Sequence, residues 1–146
     1  MISVYLASSS HETSRVNAIA DKLIAHGLRV VSTWHREPDR ALKAGFDDLL
    51  SVTEQREIAE RCIDEMFGAD LMWLVWPRTA SIGAYAELGV AIALARFHYS
   101  MHVVVSGVGC SRSVYTSLAD FRDTSDEAAL HEVLTFARRR QLAEAR

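Results

Sequence analysis

The stretch LMWLVWPRTASIGAYAELGVAIALA, residues 71–95, decides the fold of this chain. Leu71 to Trp76 is a near-continuous apolar run, typical of a strand buried on both faces of a parallel sheet, and Pro77 ends it. The run from Thr79 to Ala95 predicts a helix that is apolar on nearly every side, because Glu87 is its only charged residue. A buried strand that leads into a buried helix is half of a βαβ unit.

The rest of the chain repeats this alternation of strand and helix. Further strands are predicted at Ile2 to Ala7, Leu28 to Trp34, Met101 to Ser106 and, as a short fifth strand, near Asp120 to Arg122. Such alternation predicts right-handed crossovers and a mostly parallel sheet of about five strands flanked by helices. We therefore predict an α/β fold, with one doubly wound, Rossmann-like domain over residues 1–146.

Three capping-box patterns, each a hydroxyl residue followed three positions later by glutamate, mark predicted helix starts. They are Ser9 with Glu12, Ser51 with Glu54, and Thr124 with Glu127. Residues 36–51 are charged and weakly periodic, so we predict a loop there that could include one helical turn. Its position before a helix at the sheet edge suggests a lid.

Composition and charge argue against several classes of function. With 49% hydrophobic and 24% charged residues, the chain has the composition of an ordinary soluble domain. The net charge of -3 gives no electrostatic footprint for a nucleic-acid polymer, so we expect no such partner. The longest apolar stretch is interrupted by Glu87 and is too short to span a bilayer, and we find no signal-peptide pattern. We expect a cytoplasmic protein with no membrane partner.

Neither a metal ion nor another cofactor is expected. Cys62 and Cys110 show no disulfide framework and no metal-ligand spacing, and the six histidines are scattered. Dinucleotide-binding and P-loop fingerprints are both absent from the sequence.

The lone carboxylate of Glu87 needs an explanation. Burying a charge without a partner is costly, so the group must be paired, protonated or used. The residues alone leave two interpretations open: a carboxylate held by backbone donors or a cation for structural reasons, or a carboxylate that performs chemistry.

Polar segments follow three of the predicted strands. They are Ser8, Ser9 and Ser10, then Trp34 with His35, then Arg78 to Gly83. Ligands of doubly wound sheets bind beyond the carboxyl ends of the strands, which predicts a pocket here. The serines either cap the first helix or bind a phosphate, Trp34 either packs in the core or stacks on a flat ring, and Gly83 permits close approach to the backbone.

These segments together resemble a known family. The strand YLA at Tyr5 to Ala7, the segment MWLVWP, and SIGAYAELGVAIALA from Ser81 are similar to the nucleoside 2-deoxyribosyltransferase superfamily, including its branch of nucleoside 5'-monophosphate N-glycosidases. The resemblance covers almost the whole chain apart from parts of residues 36–51. The Gly, Glu and Gly of GAYAELG are its most specific element.

The resemblance implies cleavage of an N-glycosidic bond. Glu87 is expected to attack the anomeric carbon of a bound nucleoside or nucleotide and to expel the base, leaving a glycosyl-enzyme ester that water or a second base resolves. Tyr5 would orient Glu87 through a hydrogen bond. His35 matches a base-side position of the monophosphate branch, and Trp34 is a candidate stacking wall.

Two serines favour the monophosphate branch. The transferases of the family usually carry an acidic residue six positions before the nucleophile, and this chain has Ser81 there. A carboxylate would repel a phosphate, whereas a hydroxyl can donate to it. Ser117 is similar to a serine that reaches the phosphate site of a neighbouring subunit, which implies a homodimer or larger homo-oligomer.

One position departs from the family pattern. Where the family usually has an aspartate that handles the proton of the leaving base, this chain has Cys62. Glu65 could reach inward instead, or a residue of the predicted lid, His35 or Asp39, could protonate the base. Otherwise the enzyme is slow, or the fold now only binds.

Three hypotheses about function follow. The first is hydrolysis of a (deoxy)nucleoside 5'-monophosphate through a glycosyl-Glu87 intermediate. The second is base exchange between deoxynucleosides by a 2-deoxyribosyltransferase, and the third is a catalytically weak module that binds or senses nucleotides. The sequence leaves the base and the sugar undetermined, because discrimination over one hydroxyl depends on the fine shape of the pocket.

Overall fold

Five strands alternate with four α-helices along residues 1–37, 50–98 and 101–145, the part of the chain that the computed structural model describes. The elements in chain order are β1 (Ser3–Ala7), α1 (Thr13–Ala25), β2 (Arg29–Val30), α2 (Val52–Phe67), β3 (Leu71–Val75), α3 (Ile82–His98), β4 (His102–Ser106), β5 (Phe121–Asp123) and α4 (Asp126–Glu144). Short 3₁₀ turns cover Ser10–Glu12, Trp34–Arg36, Cys110–Arg112 and Val114–Leu118.

All strand pairs of the sheet are parallel, in the order β2-β1-β3-β4-β5. Val4 pairs with Leu71 between β1 and β3, and Leu71 pairs with His102 between β3 and β4. This order confirms the predicted doubly wound α/β fold. It also places a topological switch point between β1 and β3. The connection after β1 runs to one edge of the sheet and the connection after β3 runs to the other, so a crevice forms between the two strands.

Alternate residues of each strand face different layers of helices, because side chains on a strand point to opposite faces. Val4 and Leu6 of β1 pack with α1 and α4, while Tyr5 and Ala7 pack with α2 and α3. The predicted central strand β3 is buried along its whole length. Both faces of the sheet are therefore covered, as the continuous apolar run predicts.

One of the three predicted capping boxes is confirmed. Ser51 Oγ accepts a hydrogen bond from the Glu54 N–H at the start of α2, and the Glu54 carboxylate accepts one from the Ser51 N–H. The last helix instead begins one residue later than predicted, since Ser125 is its cap.

The first predicted capping box is wrong. Ser9 caps the 3₁₀ turn that precedes α1, and Glu12 does not reach back to it. The buried Glu12 carboxylate instead accepts a hydrogen bond of 3.0 Å from the Arg78 N–H and lies 3.5 Å from Arg15. This contact ties the segment after β1 to the segment after β3.

The second strand is shorter than predicted. Its pairing with β1 ends after Val30. The Leu6 N–H donates to Ser32 Oγ in place of a backbone carbonyl of β2. The Thr33 N–H donates to Glu65 of α2. Trp34 and His35 consequently lie in a 3₁₀ turn rather than at a strand end.

Most of the predicted lid, with Asp39, lies outside the described residues. No helix within the described ranges is long and apolar enough to cross a membrane.

Candidate active site

A cavity of about 540 Å³ opens at the carboxyl ends of β1 and β3, at the switch point of the sheet. This volume falls within the range of small-molecule sites, about 300–1,000 Å³. Its walls come from the segments that follow β1 and β3, the first turns of α3 and one face of α2. The described residues that line it are Ser8, Ser9, Ser10, His11, Trp34, Leu50, Gln55, Ile58, Ala59, Cys62, Ile63, Ala80, Ser81, Ile82, Gly83, Ala84, Ala86, Glu87 and Val90.

Glu87 lies on the cavity wall, in the second turn of α3. The Tyr5 hydroxyl donates a hydrogen bond of 2.7 Å to Glu87 Oε1. Alternation along β1 turns Tyr5 toward α3, so the strand supplies the donor and the helix supplies the acceptor. The sequence spacing between the two residues gives no hint of this contact.

Burial raises the pKa of Glu87 to about 7, although hydrogen bonds from the Tyr5 hydroxyl and the Cys62 thiol act in the other direction. Burial and the neighbouring Glu87 charge raise the pKa of Cys62 to about 11 and lift the pKa of Tyr5 far above its usual range. Tyr5 and Cys62 therefore stay protonated and act as neutral donors. Within the described part of the chain, no cation pairs with Glu87.

The serine segment uses its hydroxyls in different ways. Ser8 Oγ donates to the Val75 carbonyl at 2.7 Å, which joins the ends of β1 and β3. Ser9 Oγ accepts from the His11 N–H at 3.3 Å, so its own proton can be donated to another acceptor. Ser10 lines the cavity and is partly exposed. All three serines line the cavity, but the Ser8 hydroxyl proton is used within the protein, whereas that of Ser9 is available to a ligand.

Ser81 and Gly83 form the start of α3 at the cavity. Ser81 Oγ accepts a hydrogen bond of 3.3 Å from the Ala84 N–H and so caps the helix. The backbone N–H groups of the first turn, including those of Ile82 and Gly83, have no partner within a helix. The positive end of the α3 dipole therefore borders the same cavity as the serine segment.

One solved structure has a similar fold. The chain is similar to the structure of the CMP N-glycosidase BcmB of Clostridium botulinum, with a TM-score of 0.53 over 92% of this chain and 98% of that chain. The two proteins share a fold. At 13% sequence identity the likeness extends to the fold alone. No protein-family model matches the chain, and a search of curated proteins also gave no match.

Trp34 reaches the cavity but His35 does not. The Trp34 indole N–H donates to the Leu6 carbonyl at 2.7 Å, and this bond fixes the ring at the cavity wall. His35 is buried, with Nδ1 2.7 Å from Asn17 Oδ1 and Nε2 3.2 Å from Ser32 Oγ. Burial lowers the pKa of His35 to about 4, so its ring is neutral at physiological pH. His35 was predicted to lie beside the base, but its ring is outside the cavity. The ring instead joins α1 to the turn after β2.

Glu65, which the sequence offers as a replacement for the family's aspartate, contacts Thr33 and is not among the residues that line the cavity. Its carboxylate accepts hydrogen bonds from the Thr33 N–H at 3.1 Å and the Thr33 hydroxyl at 2.6 Å. These bonds fasten α2 to the turn after β2. Cys62, three residues before Glu65 on the same helix, lines the cavity together with Glu87.

Ser117 lies on the surface, away from the cavity of its own chain. Its hydroxyl donates to the Val114 carbonyl at 2.6 Å. The side chains of Val114, Tyr115 and Leu118 around it are exposed apolar groups. The contact of Ser117 with a neighbouring subunit stays a prediction.

Four further residues line the cavity without having been predicted from the sequence: His11, Gln55, Ile58 and Ile63. Ile58 and Ile63 belong to the apolar stripe of α2, which the periodicity shows but which looks like ordinary core. His11 directly follows the predicted serines, and this adjacency was the available signal. Within the described residues, no group of three or more His, Cys, Asp or Glu side chains could hold a metal ion.

Proposed function

We propose that this protein hydrolyses the N-glycosidic bond of a nucleoside 5'-monophosphate, with Glu87 as the nucleophile. The observation that carries the proposal is the Glu87 carboxylate on the wall of a nucleotide-sized cavity, held by the Tyr5 hydroxyl at 2.7 Å and by no cation within the described chain. Because no described cation pairs with it, the ionised form of Glu87 has an electron pair available for attack on carbon.

The reaction proceeds by double displacement. Glu87 attacks C1' as the base departs, and a glycosyl ester forms. Water then attacks the same carbon and regenerates the carboxylate, which retains the stereochemistry at C1'. Tyr5 keeps one carboxylate oxygen aligned, and the Trp34 ring offers a face on which the base stacks.

The phosphate is bound by hydroxyls and backbone donors. Ser9, Ser10 and Ser81 border the cavity at the starts of two helix segments, where helix dipoles favour an anion. No Lys or Arg lines the cavity in the described part of the chain. Since Ser81 carries no negative charge, it does not repel a phosphate dianion at this point.

A 2-deoxyribosyltransferase is the second candidate. It would use the same Glu87 ester and a second base in place of water. The uncharged Ser81 at the start of α3 favours the hydrolase, because it accommodates a phosphate. A nucleotide-binding module without turnover is the third candidate, and the thiol of Cys62 where an acid is expected is the observation that favours it.

We further propose a homodimer formed through α3. One face of this helix exposes the apolar or small residues Ile82, Ala86, Gly89, Ala93 and Phe97, and Ile82 and Phe97 are 89% and 79% exposed. Contiguous exposed apolar surface of this kind is typical of an interaction site. Ile82 and Ala86 also line the cavity, so a second copy seated there would close its edge. A contact of Ser117 with the phosphate site of the neighbouring subunit is part of this proposal. We place the enzyme in the cytoplasm, where nucleotide monophosphates are found.

Base release from a panel of substrates tests the proposal. Ribo- and deoxyribonucleoside monophosphates, the matching nucleosides, and nucleosides with a free acceptor base are incubated with the wild type and Glu87→Gln, and bases are separated by chromatography. We expect release from monophosphates and at least about a 10³-fold loss in Glu87→Gln. Base exchange between nucleosides would favour the transferase. Melting shifts without turnover would favour the binding module, and full activity of Glu87→Gln would contradict the mechanism.

A further inference from the structure

The leaving base decides how much acid catalysis the reaction needs. A neutral purine or pyrimidine departs with the electron pair of its glycosidic bond and must be protonated to leave easily. A general acid typically contributes roughly 10²- to 10⁴-fold to such a step. A base that is already cationic takes the same electron pair and becomes neutral, so it needs no proton.

The described cavity wall offers no suitable acid. Its titratable side chains are His11, Cys62 and Glu87. Glu87 is the nucleophile, and the Cys62 thiol is a weak acid that donates its hydrogen bond to Glu87. The Tyr5 hydroxyl also donates its hydrogen bond to Glu87 and so cannot protonate the base. His11 belongs to the serine segment, which we assign to the phosphate.

The part of the cavity next to Cys62 is apolar. Ile58, Ala59 and Ile63 form its α2 wall, and Val90 extends it on α3. An apolar wall can hold a flat ring but cannot protonate it. The amide of Gln55 can form hydrogen bonds, but it is no proton donor for catalysis.

The charge of the cavity favours a cation at the same place. Glu87 brings a negative charge that no described cation balances. Trp34 is one of the residues that line the cavity, and an indole ring attracts a cation that lies over its face. A positively charged ring between Trp34 and Glu87 would be stabilised by both groups.

We propose that the substrate of this site is a nucleotide whose base is cationic, such as a pyridinium or an N7-alkylated purine. This inference rests on the proposed function. The C1'–N bond breaks and its electron pair neutralises the ring nitrogen, while a Glu87 oxygen forms the ester with C1'. Water then replaces the ester oxygen, its proton passes to solvent, and the carboxylate is restored. The departing base needs no proton at any point.

Two matched substrate pairs test this inference. One pair is 7-methylguanosine 5'-monophosphate with guanosine 5'-monophosphate, and the other is nicotinamide mononucleotide with its neutral 1,4-dihydro form. The measurement is kcat/KM for base release by chromatography, with Glu87→Gln as the nucleophile control. We expect the cationic member of each pair to react at least about 100-fold faster. We also expect His11→Ala to leave this ratio unchanged.

The outcomes separate the inference from the proposed function. Ratios near one, or faster cleavage of neutral ribo- or deoxyribonucleotides than of the cationic ones, would overturn the inference and leave the glycosidase intact. A ratio that rises in His11→Ala would identify His11 as an acid and would overturn it too. Failure of every monophosphate to release its base would contradict both.

Discussion

At the level of single residues, the proposed chemistry depends on a carboxylate that two neutral donors hold. Tyr5 comes from the central part of the sheet and Cys62 from the facing helix, and Glu87 meets both. Because neither partner carries a positive charge, burial dominates the electrostatics of Glu87 and raises its pKa to about 7. The group therefore titrates close to neutral pH.

Removal of the Tyr5 hydroxyl tests how the carboxylate is held. Tyr5→Phe keeps the buried ring but removes a hydrogen bond to a charged group, which is typically worth about 1.5–3 kcal/mol. We expect kcat/KM to fall roughly 10- to 100-fold and the acidic limb of its pH profile to move above pH 7. Tyr85→Phe, on the same helix as Glu87, is the control. An unchanged acidic limb in Tyr5→Phe would contradict the assigned contact.

The raised pKa of Glu87 also predicts how stability depends on pH. The folded protein holds the Glu87 proton up to about pH 7, whereas an unfolded chain loses it near its ordinary value of 4.5. The folded state thus binds more protons between these values, so this group lowers the free energy of unfolding as pH rises through that window. The full effect is on the order of 3 kcal/mol.

Denaturant unfolding of the wild type and Glu87→Gln at several pH values measures this contribution. We expect the variant to gain stability relative to the wild type from about pH 4.5 to 7 and to keep the gain at more alkaline pH. Other titrating groups cancel in the comparison. Parallel stability curves for the two proteins would show that the pKa of Glu87 is not raised.

At the element scale, the cavity depends on α2, because this helix carries Cys62 and the apolar wall. Its start is fixed by the capping box of Ser51 and Glu54. Its last turn is fixed by the bonds from Thr33 to Glu65. The helix thus sits between two anchors at the edge of the sheet.

Loss of the α2 cap should destabilise the protein. Ser51→Ala removes the acceptor of the Glu54 N–H and should lower the free energy of unfolding by about 1 kcal/mol. Ser117→Ala, an exposed serine outside the α-helices, is the control and should change little. Denaturant unfolding measures both. Equal stability of Ser51→Ala and the wild type would mean that the capping box contributes nothing to folding.

Local sequence predicted the elements whose burial pattern is strong, and missed those set by distant contacts. The apolar run of β3 and the nearly uncharged α3 identified the centre of the fold and placed Glu87 correctly on a helix. The early end of β2 depends on the bond between Ser32 and Leu6, which are 26 residues apart. His35 turned away from the cavity because Asn17, 18 residues earlier, binds its ring. No local pattern contains such pairings.

At the scale of the whole molecule, the parallel order of the sheet brings the start of the chain and its middle to one crevice. Glu12 and Ser8 hold the segments after β1 and β3 together, through the Arg78 N–H and the Val75 carbonyl. The cavity at the switch point follows from this topology. The exposed apolar face of α3 borders this cavity and is the proposed dimer interface.

A charge placed on that face tests the proposed homodimer. Ala93 is exposed on α3 and does not line the cavity. We expect Ala93→Glu to convert a dimer into a monomer and to lower activity, because two glutamates would meet across the symmetry axis. Ala143→Glu, on an exposed part of α4, is the matched control. Sedimentation at several concentrations measures the mass, and an unchanged mass for Ala93→Glu would exclude this interface.

The central claim is that Glu87 bonds to the sugar. Rapid acid quench during turnover of a nucleoside monophosphate, followed by proteolysis and mass spectrometry, detects that bond directly. We expect a peptide that contains Glu87 and is heavier by one pentose phosphate residue, and no such adduct in Glu87→Gln. A sugar adduct on a different residue, or base release at the wild-type rate by Glu87→Gln, would contradict it.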